Sequence, residues 1–284
     1  MTRAPISLLG QTVIFDYGEV ISLAPSAADR EVIAGLAGAG RDSEPFWRAY
    51  FAHRDGLDQG CAGVAAYWQA IAGDVGASWD DARVHELWAA DFRSWLSINP
   101  GTIEVLADLR AGGTRLALLS NAGPDFGSYF RHGPLGDFFA ACYVSGELGL
   151  LKPHPEIYQH VLDDLGISAA EAVFIDNREA NVRGAEALGI TGHLFTDAAA
   201  LRAFLAPMRP LSDNGPMAGV REPNRASLTP LAFRRRPPDH SEVSRAVPLP
   251  RLRNGDLLAG LLMTRMPSRR AWPRRSERAQ DSRS

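Results

Sequence analysis

Short apolar runs that each end at a polar residue constrain the fold of this chain more than any other feature. Such runs are typical of strands buried on both faces of a sheet. Helix-like patterns separate the later runs, and strands that alternate with helices predict a parallel sheet. The runs are residues 12–15, 116–119, 142–144 and 172–175, and the polar residues that follow them are Asp16, Ser120, Ser145 and Asp176.

Between the first run and Pro100 the pattern is helical throughout. Five of the six tryptophans lie here, and apolar residues recur at the spacing of helices that pack together. Ser26 is placed to cap the first of these helices, which the glycines at 38 and 40 would end. We therefore predict a doubly wound α/β core, residues 1–24 and 97–206, with an α-helical insert at 25–96.

The last part of the chain, residues 207–284, differs in composition. It holds 11 of the 19 prolines and has a net charge of +9, against −12 for residues 1–206. We predict that it is mostly disordered, because it has too few apolar residues to offset the entropy of ordering it. Its arginines at 234–236 and 265–278 leave open an acidic membrane surface or nucleic acid as partners, against a solvated extension without a partner. The composition gives no sign of sequence-specific nucleic-acid recognition.

The location of the protein is predicted from absences in the sequence. No run of eighteen apolar residues occurs, so we expect no transmembrane segment. The first ten residues lack the pattern of a secretory signal. Cys61 and Cys142 lie far apart and without metal-ligand spacing, which is typical of thiols in a reducing cytoplasm. We expect a cytoplasmic protein that is a monomer or a dimer.

Four side chains with complementary chemistry meet if the sheet is parallel. Asp16, Ser120 and Asp176 end their strands, and Lys152 follows the third strand as the only lysine beside 29 arginines. Ligands bind beyond the carboxyl ends of such strands. A carboxylate nucleophile, a hydroxyl, an ammonium and a second carboxylate are suited to phosphoryl transfer, with Mg²⁺ between the carboxylates to screen their repulsion. In this scheme Lys152 neutralises developing charge and Ser120 donates a hydrogen bond.

Four short segments carry the polar strand-end residues. They are residues 15–21 (FDYGEVI), 119–121 (LSN), 152–155 (KPHP) and 174–177 (FIDN), followed by 181–185 (NVRGA). Together they resemble the motifs of the haloacid dehalogenase-like hydrolases, in the same order, and the resemblance covers about residues 10–206. It implies that the helical insert is a cap over the active site, that Asp16 forms an aspartyl-phosphate, and that Lys152 is the second catalytic residue. It further implies a small phosphorylated metabolite as substrate, bound by Ser120 and Asn121, and Mg²⁺ held by Asp16, the Gly18 carbonyl and Asp176.

Two positions depart from the pattern of the family. Its phosphatases usually carry an acid two residues after the nucleophile, where this chain has Gly18. A subgroup similar to sugar-1-phosphate phosphatases shares this glycine, which favours leaving groups that depart as anions. Glu19 is an alternative acid and base. The second departure is Asn177, an amide where a carboxylate is common, which we expect to weaken metal binding.

Other site assignments and functions stay open from the sequence. Within the insert, Arg54 and His53 are candidates to contact the substrate, against the alternative of a solvated helix face. A haloacid dehalogenase, which attacks carbon without a metal, is a second possible function. Asp176 argues against it, because its repulsion with Asp16 would be uncompensated without a metal. A third is a binding or regulatory protein with a weakened site, to which Gly18 and Asn177 point.

Overall fold

The computed structural model describes residues 5–208, so the predicted disordered tail lies almost entirely outside the described part of the chain. Within it, five parallel strands form one sheet in the order β3-β2-β1-β4-β5. This confirms the predicted α/β fold with a parallel sheet. The strands are β1 Thr12–Phe15, β2 Arg115–Ser120, β3 Ala141–Val144, β4 Ala172–Asp176 and β5 Thr191–Leu194.

Five helices follow β1 and share a hydrophobic cluster of their own. Trp68, Ile71 and Leu87 are fully buried in it. Ser26 caps the first helix in a capping box with Asp29, as predicted. That these five helices form a cap over the active site stays a prediction. The helices are α1 Ala27–Ala37, α2 Glu44–Ala52, α3 Arg54–Asp58, α4 Val64–Asp74 and α5 Asp81–Ser94.

Helices also cover both faces of the sheet. Val13 and Phe15 of β1 belong to one hydrophobic cluster and Ile14 to the other, as alternation along a strand requires. None of the helices among residues 5–208 is long and apolar enough to cross a membrane. The helices of the core are α6 Pro100–Ala111, α7 Phe126–His132, α8 Ser145–Leu148, α9 Pro155–Leu165, α10 Glu179–Glu186 and α11 Ala198–Leu205.

The register of the sheet determines where the strand-end residues meet. Phe15, the last residue of β1, lies opposite Leu118 of β2 and Ile175 of β4. The backbone N–H of Asp16 donates to the Ile175 carbonyl at 2.9 Å. Asp16 therefore lies at the centre of the carboxyl edge, between the ends of its two neighbouring strands.

Candidate active site

Lys152 joins the ends of three strands through one nitrogen atom. Its Nζ donates to Asp16 Oδ1 at 2.8 Å, to Asp176 Oδ2 at 2.7 Å and to the carbonyl of Leu119 at 2.9 Å. An ammonium has three N–H donors, so all of them have protein acceptors. We call Lys152, Asp16 and Asp176 the strand-end cluster. The structure thus brings together the three residues that the strand ends predict to meet.

The strand-end cluster has one more negative than positive charge. Burial raises the pKa of the Asp16 carboxyl to about 6, Lys152 opposes this shift, and the nearby Asp176 adds to it. Burial alone would lower the pKa of Lys152, but the two carboxylates outweigh it and hold that pKa above its ordinary value. Lys152 therefore stays charged. Its single positive charge balances only one of the two buried carboxylates.

Asp176 has partners beyond Lys152. Its Oδ2 accepts from Asn181 Nδ2 at 3.0 Å and its Oδ1 from the backbone N–H of Arg178 at 2.8 Å. Both oxygens of Asp176 are thus hydrogen-bonded without a metal, although the strand-end cluster keeps its excess negative charge. The expectation that Asp176 disfavours a dehalogenase stays a prediction. Asn181 has no role assigned from the sequence, and its place five residues after Asp176 is the signal that locates it.

Ser120 and Asn121 end β2 side by side and have different surroundings. Ser120 is among the residues that line the cavity, as is Lys152. The Asn121 side chain pairs with the backbone of Lys152 in both directions, its Nδ2 donating to the carbonyl at 2.9 Å and its Oδ1 accepting from the N–H at 3.0 Å. These bonds orient the loop that carries the ammonium. The predicted contact between Asn121 and substrate stays a prediction.

The two departures from the family pattern lie at the same cavity. A Cβ at Gly18 would stand 3.6 Å from Cζ3 of Trp95, so the indole lies next to the position of the missing acid. Glu19 has a left-handed backbone, with φ of 60°, the one non-glycine residue of the described chain that does. Its Oε2 accepts from Asn177 Nδ2 at 3.2 Å. Glu19 thus faces the cavity and is tied to Asn177.

A cavity of about 340 Å³ opens between the carboxyl edge of the sheet and helices of the insert. Its volume lies at the low end of the range for small-molecule sites, roughly 300–1,000 Å³. Aromatic side chains make up much of its wall. They are Tyr17, Trp47, Tyr50, Phe51, Trp95, Phe126 and Phe130.

The insert contributes a second buried ionic group to this cavity. Arg54 Nε donates to Asp58 Oδ1 at 2.9 Å, and its Nη1 donates to Asp91 Oδ2 at 3.1 Å and to the Tyr50 hydroxyl at 2.9 Å. We call Arg54, Asp58 and Asp91 the insert cluster. The Arg54 side chain is only 16% exposed, so the alternative of a solvated helix face is wrong for it. His53 pairs instead with Asp74 at 2.8 Å.

The strand-end cluster offers oxygen ligands to a metal. Within residues 5–208, no three histidine, cysteine or carboxylate side chains are grouped closely enough to hold an ion. A metal would therefore rest on Asp16 and Asp176, with the backbone carbonyl of Gly18 and water. Mg²⁺ is commonly held by one or two carboxylates together with water and substrate oxygens. The residues fit such an ion in donor type, and the missing positive charge fits it in sign.

Comparisons with known proteins agree on one family. A family model described as haloacid dehalogenase-like hydrolase matches residues 11–189. The structure of a HAD family enzyme of Bacteroides thetaiotaomicron, in complex with magnesium and inorganic phosphate, superposes with a TM-score of 0.53 at 24% identity. The superposition covers 66% of this chain and 94% of the Bacteroides chain. At this identity the similarity shows the fold alone.

Curated relatives include both phosphatases and dehalogenases. Sesquiterpene phosphatase astK of Aspergillus oryzae is 34% identical over 34% of this chain and 50% of its own length. Phosphoserine phosphatase of Thermus thermophilus is 35% identical over 38% of this chain and 45% of its own. (S)-2-haloacid dehalogenase of Xanthobacter autotrophicus is 28% identical over 64% of this chain and 73% of its own length. The chain thus spans about half the length of the two phosphatases it matches.

Proposed function

The chain belongs to the haloacid dehalogenase-like hydrolases, and we propose that it hydrolyses the phosphate monoester of a small metabolite through Asp16. The observation that carries this proposal is the strand-end cluster, in which two buried carboxylates share the single ammonium of Lys152. Such a site lacks one positive charge, and a divalent cation that accompanies a phosphate would supply it.

The chemistry of this site begins at Asp16. A carboxylate oxygen of Asp16 attacks phosphorus, the bond from phosphorus to the alcohol oxygen breaks, and an aspartyl-phosphate forms. Water then attacks the same phosphorus and loses a proton to the solvent. The bond from phosphorus to the Asp16 oxygen breaks, so that inorganic phosphate leaves and the carboxylate is restored. Lys152 holds Asp16 in place and offsets its charge, and Ser120 donates a hydrogen bond to a phosphoryl oxygen.

Mg²⁺ is the cofactor that the cluster fits. Asp16, the carbonyl of Gly18 and Asp176 would hold it, and it would screen the repulsion between the carboxylates and the phosphate. The Bacteroides relative in complex with magnesium and phosphate supports this choice.

The proton for the leaving group has no donor at Gly18. Substrates whose leaving group departs as a stable anion need that proton least, so we propose an anomeric or acyl phosphate, such as a sugar 1-phosphate, within this class. Glu19 lines the cavity and is the alternative acid and base.

Dehalogenation is a second candidate function, because hydrogen bonds from Lys152, Asn181 and the backbone N–H of Arg178 hold Asp176 without a metal. A dehalogenase also needs no acid at Gly18. The size of the cavity favours the phosphatase, because about 340 Å³ is more than a two- or three-carbon haloacid requires.

One set of assays separates these functions. Purified full-length protein is given sugar 1-phosphates, acyl phosphates, other phosphate esters and 2-haloacids, with Mg²⁺ and with chelator. We expect phosphate release that needs Mg²⁺ and falls by at least about a thousandfold in Asp16→Asn, because the nucleophile is lost. Asp81→Asn, the same change on the exposed start of α5, is the matched control.

Each other outcome has a clear meaning. Halide release that persists in chelator would replace the phosphatase by a dehalogenase. Folded protein that turns over neither class of substrate would point to the binding or regulatory alternative.

A further inference from the structure

The insert cluster presents polar groups to the same cavity as the nucleophile. Arg54, Asp58 and Asp91 all line it, together with the Tyr50 hydroxyl that bridges Arg54 and Asp91. Tyr50 donates to Asp91 Oδ1 at 2.7 Å, so Arg54 Nη1 uses the hydroxyl only as an acceptor. These contacts fix the guanidinium within a buried frame, which makes it suited to recognise a ligand group at a defined place.

The charge of Arg54 is already neutralised by the protein. Burial alone would lower the pKa of its guanidinium, but Tyr50, Asp58 and Asp91 outweigh burial and raise that pKa. One cation thus faces two carboxylates, and with both ionised the cluster carries one net negative charge. A ligand carboxylate or second phosphate that approached Arg54 would meet these carboxylates in a site with little screening.

The cluster keeps hydrogen-bonding capacity toward the cavity. The guanidinium of Arg54 and the carboxylates of Asp58 and Asp91 all line the cavity, so donors and acceptors lie side by side there. A hydroxyl group matches both, because it donates one hydrogen bond and accepts others.

We propose that Arg54, Asp58 and Asp91 form the specificity site for the alcohol half of the substrate, and that they select an uncharged, hydroxyl-bearing alcohol over one with a second anionic group. This inference rests on the proposed phosphatase function and names the class of its substrate.

Matched pairs of esters test this selection. α-D-Glucose 1-phosphate differs from α-D-glucuronic acid 1-phosphate, and the galactose ester from the galacturonic acid ester, only in a hydroxymethyl group in place of a carboxylate. All four carry the phosphate at the anomeric carbon. We measure kcat/KM for the wild-type protein, and affinity for the Asp16→Asn protein as a readout that needs no turnover. We expect the hydroxyl member of the better-bound pair to be preferred at least about tenfold.

Asp58→Asn shows whether the insert cluster causes the preference. The amide oxygen still accepts from Arg54 Nε while one negative charge is removed, so we expect the preference to fall about tenfold. Asp91→Asn should lower it in the same direction and serves if Asp58→Asn fails to fold. Asp74→Asn, a carboxylate of α4 that pairs with His53 and does not line the cavity, is the control and should keep the wild-type preference.

The outcomes distinguish this inference from the function on which it rests. A preference for the carboxylate esters, or a hydroxyl preference that both variants leave unchanged, overturns the specificity site alone. Folded protein that neither binds nor hydrolyses any phosphate ester overturns the proposed function, and the specificity site with it.

Discussion

The strand-end cluster and the insert cluster contain the same number of charges of each sign, but their cations bind the carboxylates in different ways. Each places two carboxylates around one cation beside the same cavity. Lys152 gathers its acceptors on one nitrogen, whereas Arg54 spreads its bonds over Nε and Nη1. An ammonium is a compact point charge and a guanidinium a planar fork, so the two cations are suited to different tasks. The first holds two carboxylates together, and the second holds a donor in a fixed plane.

The two clusters also differ in depth. The cations show the difference, because the side chain of Lys152 is 1% exposed and that of Arg54 is 16% exposed. The carboxylates are less distinct, since Asp176 is 0% exposed but Asp16, Asp58 and Asp91 are 11%, 11% and 7% exposed. The strand ends of a sheet bring residues far apart in sequence into a rigid, dry site. Neighbouring turns of helices build a site that is more open to a ligand. Removing the cation of the deeper cluster should therefore lower the free energy of unfolding by more.

Removing each cation breaks this comparison most directly. Lys152→Met leaves Asp16 facing Asp176 without a counter-charge, and we expect a loss of about 3–5 kcal/mol in the free energy of unfolding together with loss of activity. Arg54→Met should cost less, because Arg54 is 16% exposed against 1% for Lys152, so water reaches the carboxylates that it leaves behind more easily. Urea unfolding of both variants measures the difference. Equal losses would show that depth does not distinguish the two clusters.

Exchanging the two cations separates geometry from charge. Lys152→Arg keeps the charge, but a fork cannot place one nitrogen at 2.7–2.9 Å from three acceptors. We expect a loss in kcat/KM of about a hundredfold. Arg54→Lys keeps the charge of the insert cluster and loses some of its bonds, so we expect a loss of about tenfold. Steady-state kinetics on the best substrate decides, and a larger loss for Arg54→Lys would reverse the assignment of roles.

The strand-end cluster could be predicted from the sequence because strands constrain it. Buried runs that end at Asp16, Ser120 and Asp176 leave few choices, since the carboxyl ends of parallel strands share one edge. Lys152 stood out as the only lysine of the chain. The same regularity predicted the strands to within a residue or two and the cap at Ser26.

The insert cluster could not be predicted in the same way. Asp58 and Asp91 lie on helices, where a carboxylate on an exposed face and one aimed at a partner have the same sequence signal. Their burial depends on how α3 and α5 pack, which no local pattern states. Helix α7 was missed because it has seven residues and no regular repeat, although its Phe126 and Phe130 line the cavity.

The smallest effect that separates the clusters is the pH dependence of the insert cluster. Burial raises the pKa of Asp58 from 3.8 to about 6, against the opposing charge of Arg54. The folded protein thus holds this proton more tightly than the unfolded chain does. The stabilisation from that proton is complete below pH 3.8 and is lost as the pH rises through about 6.

Asp58→Asn removes that titration and leaves the other groups in place. The stability of the wild-type protein relative to Asp58→Asn should therefore fall by about 1 kcal/mol between pH 5 and pH 7.5. Unfolding both proteins in urea at the two pH values measures it, because contributions from groups outside the cluster cancel in the difference. If Arg54 instead dominated and held the pKa of Asp58 below 3.8, the relative stability would be flat over this range and would drop only in stronger acid. That result would mean that Arg54 is committed to Asp58, leaving it less free to serve a ligand.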